Sequence, residues 1–462
     1  MNLLGKDKVS IAPDVLYIYS SDMTENEPSA PDVVVLPESL QEVVEIVKIA
    51  NEFKIPLIPF ATGNNVGGLT IPERGGIVVD MKRMKKIEVD EEEMYMVVEP
   101  GVTFGELKAY LDKNYPSLIY SYPLAPPYTS VLANAILDGL NNLSTRYGAM
   151  SEWIQGLEVV LPDGTVAKIG GKAVSASWFS RAPLPDLCGL FISWQGTTGI
   201  VTKGALMLIP SLPFKKRFLI LTYTYSSAYN LIMKYSRMRA FDEIAGFSWV
   251  AGKMFFLREG KIEKSSDDPE FMLFVEMSGN SEEEIKVKEK LLKGVIKNLK
   301  EEVEEPLDVE LMVKAFPEYS KFSEFPTTLD FLLDRGGGLT WVGSYGPNKK
   351  WIEGAEGGSK ILEKYEFPPL LVSRSMKEGH YQVLRFIIPF KRYDVEEKKI
   401  VRECLKELAQ FLLDKGYVPY KMPSWLAPIV WERADRGYLE LLKKMKMAID
   451  PSGIMNPRKL GL

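Results

Sequence analysis

A single histidine, two cysteines and five glutamines stand among 462 residues. With His380 alone, a multi-histidine metal site is excluded and a Ser-His-Asp triad has one residue to be built around. Cys188 and Cys404 are too few for a cysteine metal cluster and too isolated for a disulfide framework, so both read as buried apolar residues. No uninterrupted apolar run reaches the roughly 18 residues of a membrane span. Met1-Asn-Leu-Leu-Gly-Lys6 lacks the ordered regions of a signal peptide, so a cytoplasmic location is expected. A dominant charge is missing too. Lys and Arg number 57 against 62 Asp and Glu, a net charge of -5 that offers no broad electrostatic reason to bind nucleic acid. The scarcity of glutamine beside abundant Lys and Glu resembles the bias of heat-adapted proteins.

The chain is long enough for two or three domains. Residues 39–53 carry apolar side chains at helical spacing behind a capping-box-like Ser39/Glu42 pair, and the segment Ile55-Pro-Leu-Ile-Pro59 that follows reads as a strand. Then comes FATGNNVGGL, residues 60–69. Its glycines permit positive φ and its exposed N–H groups suit phosphate, so it is either a phosphate cradle or a glycine-rich surface turn. A strand at Tyr95–Glu99, a capped helix at Thr103–Leu111 and a hairpin turning on Pro162-Asp-Gly164 follow. Pro210-Ser-Leu-Pro213 punctuates the chain, after which strands alternate with charged helices to about Pro423. Gly336-Gly-Gly338 reads as a hinge or a loop. The fold class is α+β.

Four segments carry a resemblance: MYMVVEPGVTFGELKAYL (94–111), residues 129–166, GLFISWQGTTGIVTKGALMLIP (189–210) and AIDPSGIMNP (448–457). In this order they resemble the vanillyl-alcohol oxidase and p-cresol methylhydroxylase family of FAD enzymes, whose relatives include glycolate oxidase and D-lactate dehydrogenase. The resemblance implies a two-subdomain FAD-binding unit over 1–213, an inserted α+β cap over 214–425 and a return to the FAD unit over 426–462. It implies that Thr62, Gly63, Asn64, Asn65 and Gly67 cradle the diphosphate. Thr129, Ser130 and Asn134 would lie along the cofactor, with helix capping as the alternative for the hydroxyl residues. Gly199, Ile200 and Val201 would present main chain to its adenine-ribose end.

GGLTWVGSYGP (337–347), SMKEGHY (375–381) and GYVPYKMP (416–423) resemble cap segments of the phenol-oxidising branch. There a tyrosine and a following basic residue bind the substrate's oxygen anion; Tyr420 and Lys421 stand at the matching place, with lysine where arginine is usual. Asp138 matches an acid near the flavin, or is a turn residue before Gly139. His380 is similar to a residue on a pocket-lining strand. The implied activity is hydride transfer from a 4-alkylphenol or aryl alcohol to flavin N5, with an electron acceptor the sequence does not identify. Two alternatives stand beside it: a metal-free D-2-hydroxy acid dehydrogenase or oxidase, its substrate carboxylate held by Arg374, Arg385 or Lys421, and a non-catalytic flavin-binding subunit. Non-covalent FAD is expected, a tyrosyl bond through Tyr345 being the exception. No metal, no nucleic-acid partner and a possible homo-oligomer complete the expectations.

Overall fold

The computed structural model describes residues 4–182, 184–256, 264–297, 299, 302–317, 320 and 335–462. The expected first helix runs Leu40–Phe53; Ser39 Oγ accepts from Glu42 N at its start, and Val43, Val44, Ile46, Val47 and Ala50 are its buried face. Lys54 ends it in the left-handed region, φ 54°, and turns the chain into the strand Leu57–Phe60. That strand lies parallel to Ile77–Asp80, which in turn lies parallel to Val33–Val35, with Val9–Ser10 added antiparallel at the edge.

Five antiparallel strands make the second sheet, in the order Ile87–Asp90, Tyr95–Val98, Ile200–Met207, Ile154–Val160 and Val166–Gly170. Its last two strands are the expected hairpin, turning through Gly164 at φ 85°. The helix Phe104–Asn114 opens with a full capping box, Thr103 and Glu106 each bonding the other's backbone N–H. Phe104, Leu107 and Leu111 of that helix pack with Val131, Leu132 and Trp153 over the sheet's inner residues.

From Phe214 onward the described residues build one antiparallel sheet of eight strands. Their order is Leu307–Asp308, Phe214–Thr222, Phe271–Gly279, Glu243–Ser248, Leu370–Met376, Tyr381–Lys391, Gly337–Gly346 and Val418–Pro419. Gly337 and Gly338 are not a hinge or a loop: they open a strand and pair with Lys391 and Phe390. The Phe390 ring lies where a Cβ on Gly338 would sit, 2.7 Å away, so the glycine is what lets the two strands close.

Side chains alternate across this sheet. Val342, Leu371, Leu384 and Phe386 face the helices Tyr225–Arg237, Trp351–Lys364 and Val395–Asp414 in a large apolar core. The other face turns toward Met23 and Leu124 of the first half. The pleat therefore sets Trp341, Arg385 and Arg374, from three adjacent strands, on the face opposite the helices.

After the helix Arg436–Ile449 the chain returns to the first sheet. Leu57 N donates to Ile454 O and Asn456 N to Leu57 O, each at 2.8 Å. Lys459, 1% exposed, donates from Nζ to Gly68 O at 2.7 Å and pairs with Glu73. No helix among the described residues is long and apolar enough to cross a membrane.

Candidate active site

The glycine loop forms one wall of a cleft between the first sheet and the helix Val131–Ile136. Gly63 and Gly68 adopt φ 66° and 65°, and Asn65 ties the loop together by accepting from Leu69 N at 3.1 Å and donating to Thr70 Oγ1 at 3.0 Å. Asn456 clamps the loop from outside, donating to Leu69 O at 3.1 Å and Gln195 O at 2.7 Å. Opposite the loop stand Thr129, Ser130, Ala133 and Asn134, at the start of and within the helix Val131–Ile136. Thr129 Oγ1 accepts from Asn64 Nδ2, joining the two walls.

Nine of the residues expected along a cofactor line this cleft: Thr62, Gly63, Asn64, Asn65, Thr129, Ser130, Asn134, Gly199 and Val201. Gly67 and Ile200 do not. Gly67 sits on the far side of the turn, facing Leu69 and Pro423. Ile200 pairs with Val160 in the sheet and, pointing opposite to Val201, is buried against Val43 and Val47. Ser130 lines the cleft, but its hydroxyl donates to Pro100 O at 2.6 Å and accepts from Ala133 N at 3.1 Å, which is helix capping.

The lining of the cleft suits a polar cofactor chemically. Asn134 Oδ1 and Gln195 Oε1 are buried without a hydrogen-bond partner, a cost that a polar ligand would remove. Asn134 is pressed against Gly139, where any Cβ would collide with its amide. Gln195, Phe191 and Asn456 also line the cleft and were not singled out in the sequence, although all three lie inside segments that carried the resemblance.

A second cavity, with about 830 Å³ of free space, opens off the cleft; the two share Asn64, Asn65, Thr129, Asn134 and Lys421. Leu124, Leu140, Leu339 and Val372 supply apolar walls, and Trp341, Arg374 and Arg385 project from the eight-stranded sheet. Arg374 is neutralised: it forms an ion pair with Glu243 and donates to Asn141 O. Burial pushes the Glu243 carboxyl up to about 7 against the pull of that arginine. Among the described residues Arg385 has no carboxylate partner. Its Nε and Nη2 donate to Tyr420 Oη at 3.0 and 2.6 Å, and its guanidinium lies 5.0 Å from the Trp341 ring centre. Lys421 makes no hydrogen bond or ion pair among the described residues, and its Nζ lies 6.0 Å from the Trp341 ring centre. Burial, then repulsion by Arg385, lowers its amine to about 8, opposed by Asp138. Trp341 Nε1 is a buried donor with no partner.

The other expected residues fall elsewhere. Tyr420 stands behind Arg385, its ring filling the space over Gly343 and stacked on Tyr345 with centroids 4.8 Å apart. Asp138, at φ 54°, lines a separate outer depression with Tyr345 and Tyr420; its carboxyl accepts from Ser151, and burial raises it. His380 is not on a pocket-lining strand. The strand begins at Tyr381, and His380 is the exposed end of the tight turn after Leu370–Met376, apart from both cavities. Among the described residues no group of three His, Cys, Asp or Glu side chains is placed to hold a metal ion.

Residues 31–170 match the FAD binding domain, and residues 427–460 match the C-terminal domain of the FAD linked oxidases. Over its whole length the chain is 26% identical to the 4-cresol dehydrogenase [hydroxylating] flavoprotein subunit of Pseudomonas putida, spanning 94% of that protein. It is 35% identical to the glycolate oxidase subunit GlcD of Bacillus subtilis, but over 44% of this chain and 42% of that one. Among solved structures, p-cresol methylhydroxylase with substrate bound superposes with a TM-score of 0.89 over 100% of this chain and 95% of the other, at 24% identity, which shows the shared fold. With the FAD domain, the C-terminal oxidase domain and a full-length relative all agreeing, the chain is an FAD-dependent oxidoreductase with the p-cresol methylhydroxylase fold.

Proposed function

We propose that this oxidoreductase takes hydride from a 4-alkylphenol or aryl alcohol bound in the second cavity. The observation behind this reading is the cavity itself: apolar walls, an indole and two cations that have no carboxylate partner among the described residues, contiguous with the FAD cleft. An aromatic ring fits the walls of Leu124, Leu140, Leu339 and Val372, which also keep water from it. Arg385, Lys421 and the unpartnered Trp341 N–H meet the substrate's oxygen and stabilise negative charge on it. Tyr420 is a positioning residue, holding the Arg385 fork. Arg374, already paired, fixes the shape of the cavity. Bound FAD supplies the hydride acceptor. The protein's share is to hold the donor carbon at the boundary the two spaces share and to keep the oxygen charge opposite Arg385 and Lys421.

On this reading residues 1–213 and 426–462 form the cofactor unit and residues 214–425 the substrate cap, which is supported by the placement of Trp341, Arg374, Arg385 and Lys421 on one side of the cleft. Thr62, Gly63, Asn64 and Asn65 meet the diphosphate, and Asn134 and Gln195 give their unpaired carbonyl oxygens to the cofactor. The test is anaerobic mixing of the holoenzyme with 4-alkylphenols, aryl alcohols, D-lactate and glycolate. Bleaching of the yellow colour by the 4-alkylphenols or aryl alcohols is expected; bleaching by D-lactate or glycolate alone would overturn the substrate assignment in favour of a hydroxy-acid enzyme.

FAD on this reading is dissociable. Tyr345, the tyrosine available for a covalent link, donates to Asp138 O at 3.2 Å, and burial holds its phenol well above the usual range, so the nucleophilic phenolate is disfavoured. After acid precipitation the colour is expected in the supernatant. A washed pellet that stays yellow would overturn this and direct peptide mapping to Tyr345 or His380.

A further inference from the structure

Among the three cations of the second cavity only Lys421 can exist without its proton, because a guanidinium stays charged at any pH a protein survives. Its place is distinctive as well. Lys421 belongs to the walls of both spaces, where the FAD cleft meets the substrate cavity, and its Nζ lies 6.0 Å from the ring centre of Trp341 in the cavity wall. No carboxylate pairs with it among the described residues, and each charge around it is identifiable. Arg385, from the strand Tyr381–Lys391, repels it; Asp138, after the helix Val131–Ile136, attracts it from the outer depression. Arg374 is paired with Glu243, and the rings of Tyr345 and Tyr420, stacked on each other, complete the surroundings. An ammonium here is crowded by a like charge and short of hydrogen-bond acceptors, so the cavity favours the free amine.

We propose that Lys421, as the free amine, is the catalytic base that takes the hydroxyl proton of a bound phenol. This rests on the alkylphenol reading and deepens it. The phenol O–H bond breaks with its electron pair left on oxygen, and a new N–H bond forms on Lys421 Nζ. The phenolate then faces an ammonium and a guanidinium. Departure of hydride from the benzylic carbon of the para alkyl group draws that electron pair into the ring and leaves a neutral quinone methide, while the proton stays on Lys421. An arginine at this place would hold a phenolate but not make one. At pH 7 a phenol of pKa about 10 is almost entirely neutral, so a base in the cavity lets the enzyme draw on the abundant form.

The test uses Lys421→Arg holoenzyme with 4-ethylphenol as reductant. In the wild type the second-order rate of anaerobic flavin reduction is expected to climb through about pH 8, where the amine loses its proton. In Lys421→Arg that rise moves toward the substrate's own value near 10, with a loss of about 100-fold at pH 8, the scale set by the solution phenolate fraction and by general base catalysis. An unchanged pH profile in Lys421→Arg would overturn the proposal. A second readout needs no turnover: 4-chlorophenol has no benzylic hydrogen to lose, and its ultraviolet difference spectrum on the wild-type holoenzyme near pH 8.5 is expected to show phenolate, a signal lost in Lys421→Met. A neutral spectrum, or none, would also overturn it. If 4-chlorophenol binds as phenolate while no phenol reduces the flavin at any pH, the base survives and the substrate reading fails.

Discussion

Ala133→Trp yields a folded, colourless protein. Ala133 is half-buried on the helix Val131–Ile136 and lines the FAD cleft, whereas Val131 and Leu132 of the same helix enter the core beneath. An indole at 133 therefore occupies the space of the cofactor and leaves the protein's own packing intact. FAD retention is expected to fall by at least about 100-fold, or about 2.7 kcal/mol. The check is the ratio of flavin to protein absorbance after desalting, with a thermal melt of the FAD-free protein to show that the variant folds. A normal flavin ratio would move the cofactor out of this cleft.

The second large effect is on stability. Glu243→Ala leaves Arg374, 4% exposed, without its carboxylate, and removes the acceptor of Thr145 N at 3.0 Å. Breaking one side of a buried ion pair costs about 3–5 kcal/mol, which at about 2–4 °C per kcal/mol for a unit of this size lowers the melting temperature by roughly 6–20 °C. The double variant Glu243→Leu/Arg374→Met removes both charges and is expected to melt above either single variant, because no charge is left buried alone. A Glu243→Ala protein that melts within a degree of wild type would show that the pair does not hold the sheet to residues 141–145.

The local elements were legible because their signals are local. Ser39 and Thr103 with their glutamates start helices, and Pro162-Asp-Gly164 turns a hairpin, through contacts within a few residues. The glycine loop could be read as a phosphate cradle or a turn from its own residues; only the helix 131–136 and Asn456 opposite it complete a cleft, and both come from elsewhere in the chain. Ile200 was expected to offer main chain only, and the pleat sends its side chain to the core, so the cleft is lined by Gly199 and Val201 on either side of it. His380 failed by one residue, the difference between a strand and the turn that feeds it. Arg385 emerged as a guanidinium of the cavity only from register: it sits opposite Gly343 and Val372 in neighbouring strands, pairings with no trace in composition. Glu243, which decides the charge state around Arg374, was invisible for the same reason.

The clamp on the glycine loop also sets an order of events during synthesis. Lys459 and its acceptor Gly68 are 391 residues apart, and Asn456 and Leu69 are 387 apart. At about 5–20 residues per second a ribosome needs roughly 20–80 s to travel that distance. Through that interval the nascent loop is without the two side chains that brace it, so capture of FAD by a finished cleft follows translation of residue 459 and does not accompany the emergence of the loop.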